Sequence, residues 1–282
     1  GDWSSDVCSS DLVLKDKKKR EKEGKDPRPL IVATITSRVV QRAILQVLQP
    51  RGVVDPTDPN TKHVAKIDKR LGRLNDVNRS RYGVGGLMRP YGGVGPAIDL
   101  VMTAMRNGAI HYFQSDIKAF FTKIPTASVV STIRSESGDD SLADLFSDAL
   151  KVNLANKEEL LSYANLFPRN GEGVAQGSSL SAFAGNVLLY DLDHELNKMG
   201  VTAVRYIDDI FMLSESAEAL ELAVQHATST LTNFGFSLYK PVPGSPKASQ
   251  GLCKDAFTFL GCTIQPNRCV PSTASVDKIC TD

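Results

Sequence analysis

The sequence predicts an α/β fold with helices packed against one sheet, and three observations predict it. Apolar residues make up 41% of the 282-residue chain against 23% charged, enough to build a core and too apolar for wholesale disorder. From about residue 107 onward, β-like stretches alternate with stretches of helical periodicity. No uncharged apolar run approaches the ~18 residues of a membrane-spanning helix, so the apolar residues serve a core instead. The length fits one large domain or two ordinary ones.

Taken in order, the first twelve residues, GDWSSDVCSSDL, repeat Ser-Ser-Asp at 4–6 and 9–11 and lack the basic and apolar regions of a secretory signal. They resemble translated adapter DNA, with a disordered acidic tail as the alternative, and are set aside as non-native. Residues 13–26, VLKDKKKREKEGKD, alternate charges too densely to bury anything and read as a solvated tail. Pro27 and Pro29 stop this run, and residues 30–36 are β-rich. Ser37 stands where it could cap a helix in which Val39, Val40, Ala43, Ile44, Val47 and Leu48 recur at three- and four-residue steps, up to Pro50.

Residues 51–62 are turn-rich, and residues 70–95 are rich in Arg and Gly. That second stretch lacks the Gly-Lys-Ser/Thr of a P-loop and reads either as a surface loop or as one that touches nucleic acid. Further on come a helix at 97–106, a strand at 111–115, helical residues 141–166, a helix at 179–199 and a hairpin at 201–214. A helix at 217–234 and short strands at 237–239 and 256–264 complete the pattern. Cys253, Cys262, Cys269 and Cys280 show no C-x-x-C spacing, and His63, His111, His194 and His226 form no i,i+4 pair. Reduced thiols are therefore expected, not a zinc site.

The net charge of +1 conceals a split. Residues 13–106 carry 20 Lys/Arg against 9 Asp/Glu, whereas residues 107–282 carry 13 against 20. A basic first third joined to an acidic remainder suggests a polyanion-holding part beside a carboxylate-rich one.

The sharpest chemical feature is Val204-Arg205-Tyr206-Ile207-Asp208-Asp209-Ile210-Phe211-Met212-Leu213, where two adjacent carboxylates interrupt an apolar β-like run. Burying an unpaired carboxylate costs several kcal/mol, so such a pair needs a solvated turn or a cation. Asp116 similarly ends the β-like run His111-Tyr112-Phe113-Gln114-Ser115. If the two strands are neighbours, the three aspartates make an all-oxygen pocket suited to Mg²⁺. Two such ions about 3.5–4 Å apart support in-line nucleotidyl transfer.

These residues resemble the reverse transcriptases of bacteria, those of retrons, group II introns and phage defence, in order from about Arg28 to Gly261. Tyr206-Ile207-Asp208-Asp209 matches the Tyr-x-Asp-Asp motif of that family, and Asp116 its first palm aspartate. Gly173-Val174-Ala175-Gln176-Gly177-Ser178-Ser179-Leu180-Ser181 matches the motif under the incoming nucleotide. Phe259-Leu260-Gly261 matches the primer-grip turn, and Arg38-Val39-Val40-Gln41-Arg42-Ala43 the fingers helix.

The resemblance implies a right-hand polymerase with fingers at 27–105, an antiparallel palm sheet backed by helices at 106–265, and the start of a truncated thumb at 266–282. It implies an RNA-directed DNA polymerase that adds dNTPs to a primer 3′-hydroxyl on an RNA template, located in the cytoplasm. Two Mg²⁺ ions would be held by Asp116, the Ile117 carbonyl, Asp208 and Asp209. Phe121 would be a steric gate against a ribose 2′-hydroxyl, or alternatively a core ring beside Phe120. Gln176 and Gly177 would lie near the templating pair, and Arg28 and Lys240 on the triphosphate side, each with an ordinary surface charge as the alternative. A DNA or RNA primer is implied, with a non-coding RNA or accessory protein as a further partner.

Ala175 and Ala182 stand where relatives usually have proline, which touches loop rigidity and not ligand chemistry. The chain stops just where a thumb would begin, which suggests a reading frame cut at its ends. Two other readings remain: an inactive scaffold of the same fold that binds nucleic acid, and a metal-dependent nuclease or phosphatase.

Overall fold

The computed structural model describes residues 9–15, 28–58, 60–151, 153–154 and 171–281, with 9–15, 28–29, 153–154 and 281 seen through the backbone alone. The adapter-like residues 1–8, the charged residues 16–26 and residues 155–166 of the expected helical stretch lie outside the described residues. The chain forms two compact units. One comprises Gly1–Asn78 and Ala119–Leu188, the other Arg79–Lys118 and Leu189–Asp282.

The first unit begins with strand β1 (Ser9–Lys15), which takes in the end of the adapter-like segment and the start of the charged run. Its centre, Leu12-Val13-Leu14, is apolar, and it pairs antiparallel with β2 (Arg28–Ala33), Leu12 opposite Ile31. Helix α1 (Ile35–Leu48) follows. Its cap is Thr34 and not Ser37: the Thr34 hydroxyl accepts the Ser37 N–H at 3.2 Å, so the helix starts earlier than the sequence suggested. Its buried stripe is Ser37, Ile44, Leu45 and Leu48, whereas Val39 and Val47 are 63% and 47% exposed.

A short hairpin of β3 (Arg51–Val53) and β4 (His63–Ala65) and a short helix α2 (Leu74–Asn78) complete this stretch. After helix α3 (Val94–Arg106) and strand β5 (His111–Asp116), both of the second unit, the chain returns to the first. There it forms α4 (Phe120–Lys123), α5 (Thr126–Ser137), α6 (Asp140–Leu150) and the two-residue strand β6 (Asn153–Leu154), parallel to β1. Helix α5 escapes the sequence reading because its buried stripe is only Val129 and Ile133 among serines and threonines of modest helix propensity.

Helix α7 (Ser181–Lys198) runs from the first unit into the second. Strands β7 (Thr202–Tyr206) and β8 (Asp209–Ser214), helix α8 (Ala217–Asn233) and strand β9 (Ala248–Leu252) come next. The second unit's sheet has the order β7-β8-β5-β9, every neighbour antiparallel. The alternation expected of a half-covered sheet puts Tyr112, Gln114 and Asp116 on one face of β5. Tyr112 and Phe211 from neighbouring strands lie parallel at 5.6 Å, and they join Val204 and Leu213 in a core with Ala97, Val101 and Ala104 of α3.

A second sheet, β10 (Phe257–Phe259), β11 (Cys262–Gln265) and β12 (Arg268–Pro271), adds Phe257, Phe259 and Ile264 to that core before the final helix α9 (Thr273–Thr281). Residues 237–239, expected as a strand, make only an isolated bridge from Leu238 to Ile117, while β9 was not expected at all. Among the described residues, no helix is long and apolar enough to cross a membrane.

Candidate active site

The antiparallel register of β5 and β8 puts Asp116 directly opposite Asp209. Residues so paired lie about 4.5–5.5 Å apart at Cα, close enough for two carboxylates to share one environment. Asp208 sits in the two-residue turn that joins β7 to β8, since Tyr206 pairs with Asp209. Ile207, first in that turn, has φ +63°, a left-handed conformation where glycine is usual and a β-branched side chain costs of order 1–3 kcal/mol. The turn is tied down from β5, because the Asp208 carbonyl accepts the Ile117 N–H at 2.7 Å.

Burial, first, and the charges of Asp116 and Asp208 push the Asp209 carboxyl up to about 7. The Gln114 amide opposes this by donating to both Asp209 oxygens, at 3.3 and 3.4 Å. The Lys247 ammonium is paired with the Asp116 carboxylate, and the Lys247 carbonyl accepts the Asp116 N–H at 2.9 Å. Two facing carboxylates are an all-oxygen donor pair that fits a hard divalent ion, which would have to displace the proton of Asp209 and the Lys247 ammonium on Asp116. Among the described residues no group of three His, Cys, Asp or Glu side chains is placed to hold a metal ion. What the register does supply is one facing pair, Asp116 and Asp209, and Mg²⁺ takes one or two carboxylates while keeping positions for substrate phosphate.

Behind the turn, Arg205 is 1% exposed and bonded twice to Asp193, Nε to Oδ1 at 2.9 Å and Nη2 to Oδ2 at 2.7 Å. Its Nη1 donates to the Ile207 carbonyl at 2.9 Å. Burial pushes the Asp193 carboxyl up, against the pull of the Arg205 charge and hydrogen bonds.

The primer-grip candidates lie in the same unit. Leu260 and Gly261, at φ +47° and +76°, form the two-residue turn between β10 and β11, the type I′ geometry favoured in hairpins. Phe259, fully buried, packs on Phe211 at 4.6 Å, two residues along β8 from Asp209. The Gly261 carbonyl accepts from the Ser272 N–H and the Ser275 hydroxyl, at 2.8 and 2.9 Å.

The first unit carries Phe121, Gln176 and Gly177. Phe120 is the core ring: it is buried, and a Cβ on Gly185 would stand 2.7 Å from it, so glycine leaves its place. Phe121 is half-buried beside it, and its carbonyl accepts the Val174 N–H at 2.6 Å, which ties it to the glutamine-glycine loop. The Gln176 carbonyl accepts the Ile31 N–H at 2.9 Å. Gly177, at φ +107°, has no room for a Cβ, which would come within 2.8 Å of the Ile31 carbonyl oxygen. Arg28 enters β2 opposite Lys15 through its backbone.

Lys240 is exposed, and the lysine that touches Asp116 is Lys247. The sequence reading passed over Lys247, Gln114 and the Arg205–Asp193 pair. Gln114 was accessible by its i,i+2 spacing from Asp116. Lys247 precedes a strand, ASQGL, whose composition gives no β signal, and Asp193 lies on a helix that no motif joins to Arg205.

No curated protein matches the chain. Among solved structures, apo telomerase from Candida tropicalis, truncated from the C-terminal domain, matches at a TM-score of 0.55 and 12% identity, over 94% of this chain and 55% of that one. Telomerase from Candida albicans, in complex with the TWJ fragment of telomeric RNA, matches at 0.53 and 12% identity, over 95% and 45%. The chain thus spans about half the length of these structures, and the likeness is one of fold, with mixed helices and antiparallel sheets. The family profile described as reverse transcriptase (RNA-dependent DNA polymerase) matches residues 17–264, taking in Asp116, the Asp208-Asp209 turn and the glutamine-glycine loop in one span. The chain belongs to that family.

Proposed function

We propose that the chain is an RNA-directed DNA polymerase of the bacterial kind, which extends a primer 3′-hydroxyl with dNTPs on an RNA template. The observation that carries this reading is the facing of Asp116 and Asp209 across β5 and β8, next to the Asp208 turn, in a chain of this family. Asp116, Asp208, Asp209 and the Ile117 carbonyl would hold two Mg²⁺ ions. Bound Mg²⁺ supplies Lewis acidity, which acidifies the primer hydroxyl and neutralises the leaving pyrophosphate.

The protein's own groups prepare that chemistry. Asp209 would have to be ionised to hold a cation, and Gln114 keeps its carboxylate oriented on the β5 side. Phe121 excludes a 2′-hydroxyl by its ring, while Gln176 and Gly177 present backbone and amide near the templating pair. Arg28 and Lys240 supply positive charge to the triphosphate. Phe259, Leu260 and Gly261 set the primer strand from a rigid hairpin turn. The template is RNA and the primer DNA or RNA, with a non-coding RNA or accessory protein as the further partner of a retron, intron or defence system in the cytoplasm.

The test is Mg²⁺-dependent dNTP incorporation on a primed RNA template. Wild type is expected to lengthen the primer, and Asp116→Asn and Asp208→Asn to abolish extension without lowering the melting temperature. A folded wild type that binds the duplex and incorporates nothing would instead be a scaffold, and one that shortens the nucleic acid would be a nuclease. Full activity in either variant removes the metal-ligand role.

A further inference from the structure

The turn that bears Asp208 and Asp209 is held in a conformation its own residues resist. Ile207 at φ +63° is strained, since a β-branched residue rarely adopts the left-handed region. What opposes relaxation comes from outside. Arg205 Nη1 holds the Ile207 carbonyl at 2.9 Å, and Arg205 is in turn immobilised by its two bonds to Asp193 on α7. A guanidinium suits this task, because its planar fork satisfies a carboxylate on one side while a third nitrogen points elsewhere.

The arginine- and glycine-rich segment explains itself against the same group. The Tyr82 carbonyl accepts the Arg205 N–H at 2.7 Å, and the Arg205 carbonyl accepts the Val84 N–H at 2.9 Å, so the segment lies along β7. A Cβ on Gly83 would collide with the Asp193 carboxylate and stand 2.7 Å from Arg205 Nη2, and one on Gly85 would collide with the Ile207 backbone. Neither glycine has a positive φ, so it is space, not conformation, that requires glycine there.

We propose that Arg205, locked by Asp193 and covered by Gly83 and Gly85, is a positioning residue that fixes the Asp208-Asp209 turn for cation binding. This rests on the polymerase reading for its consequence in catalysis, but its direct readout is metal affinity. With the bond to the Ile207 carbonyl gone, Ile207 relaxes toward negative φ, the peptide that follows it rotates, and the Asp208 and Asp209 carboxylates shift relative to Asp116.

Removing Arg205 alone would strand a buried carboxylate, so the main variant replaces the pair with apolar groups of similar size, Arg205→Met with Asp193→Leu, a kind of exchange that often preserves stability. The experiment measures Mn²⁺ binding to the folded protein by the electron paramagnetic resonance of free Mn²⁺, beside kcat and KM for primer extension. The double variant is expected to melt near wild type, to bind Mn²⁺ about 10–100-fold more weakly, and to lose kcat while KM for dNTP and duplex affinity change little. Should it not fold, Arg205→Lys carries the same comparison, since one ammonium cannot serve Asp193 twice and Ile207 as well. A purely structural pair would shift the melting temperature and leave the Mn²⁺ affinity of the folded protein unchanged, and that result overturns the proposal. A wild type that binds Mn²⁺ but extends no primer would sink the polymerase reading, while the Mn²⁺ comparison would still decide the role of Arg205.

Discussion

A carboxyl group that faces a second carboxylate across a sheet holds its proton longer than one in water, and Asp209 is such a group. Its pKa is pushed up to about 7 from 3.8, by burial first and then by Asp116. Between these values the folded protein binds a proton that the unfolded chain has released, so metal-free stability from this group falls as pH rises from about 4 to about 7. Asp193, also raised, slopes the same way and Asp55 and Asp68, lowered, slope the other way, so the difference between wild type and Asp209→Asn is what isolates it. In urea denaturation with EDTA present, Asp209→Asn is expected to gain on wild type by about 1–2 kcal/mol between pH 5 and pH 7.5. An unchanged difference would mean that Asp209 is ordinary. Asp116, Asp208 and Asp209 were legible in the sequence, because carboxylates interrupting apolar β runs are rare without a cause. Lys247 was not, since its contact with Asp116 joins residues far apart in the chain, and neither were Asp193 and the strained Ile207, whose roles depend on how the fold orients Arg205.

Elements were legible where the apolar period was strong and their ends were marked by turn residues. The hairpin of β7 and β8, helix α8 and strand β5 fall within one residue or so of expectation. Helix α1 was expected with Ile44 and Leu48 on its buried face, as they are, but the face is turned: Gln41 takes an inward place, accepting from the Ser178 hydroxyl at 3.2 Å and donating to the Ala149 carbonyl at 3.3 Å, while Val39 turns outward. A polar contact of that kind leaves no trace in hydrophobic periodicity. The loop it touches is bound to β2 through the Ile31–Gln176 hydrogen bond, and Gly177 makes that approach possible. Gly177→Ala is expected to lower stability by about 1–3 kcal/mol in urea denaturation and to raise KM for dNTP more than it lowers kcat. Gly171→Ala is the control, as Gly171 also has a positive φ of +87° but, among the described residues, nothing within 4 Å of where its Cβ would go. Equal effects at the two sites would mean that backbone strain alone matters and that the loop's seat on β2 does not.

At the scale of the molecule, a net charge of +1 gives a polyanion no overall attraction, so affinity for nucleic acid has to come from the uneven distribution of charge. The basic residues 13–106 include Lys62, Lys66 and Lys69, all exposed, in and after the β3–β4 hairpin. Carboxylates of the remainder are partly spoken for, as Asp140 and Asp144 both pair with Arg134 at 2.6 Å. If the basic stretch holds template phosphates, binding releases counterions, and log affinity falls linearly with log salt by about 0.9 for each phosphate neutralised on a duplex, or about 0.7 on a single strand. Fluorescence anisotropy with a primed RNA template, run from low to physiological salt, is expected to give a slope of about −4 or steeper. Changing Lys62, Lys66 and Lys69 together to Gln should flatten that slope by about 2–3 and weaken binding to all sequences alike, with the melting temperature kept. A slope that these three changes leave untouched would move the phosphate contacts elsewhere in the chain and make the charge split a matter of solubility instead.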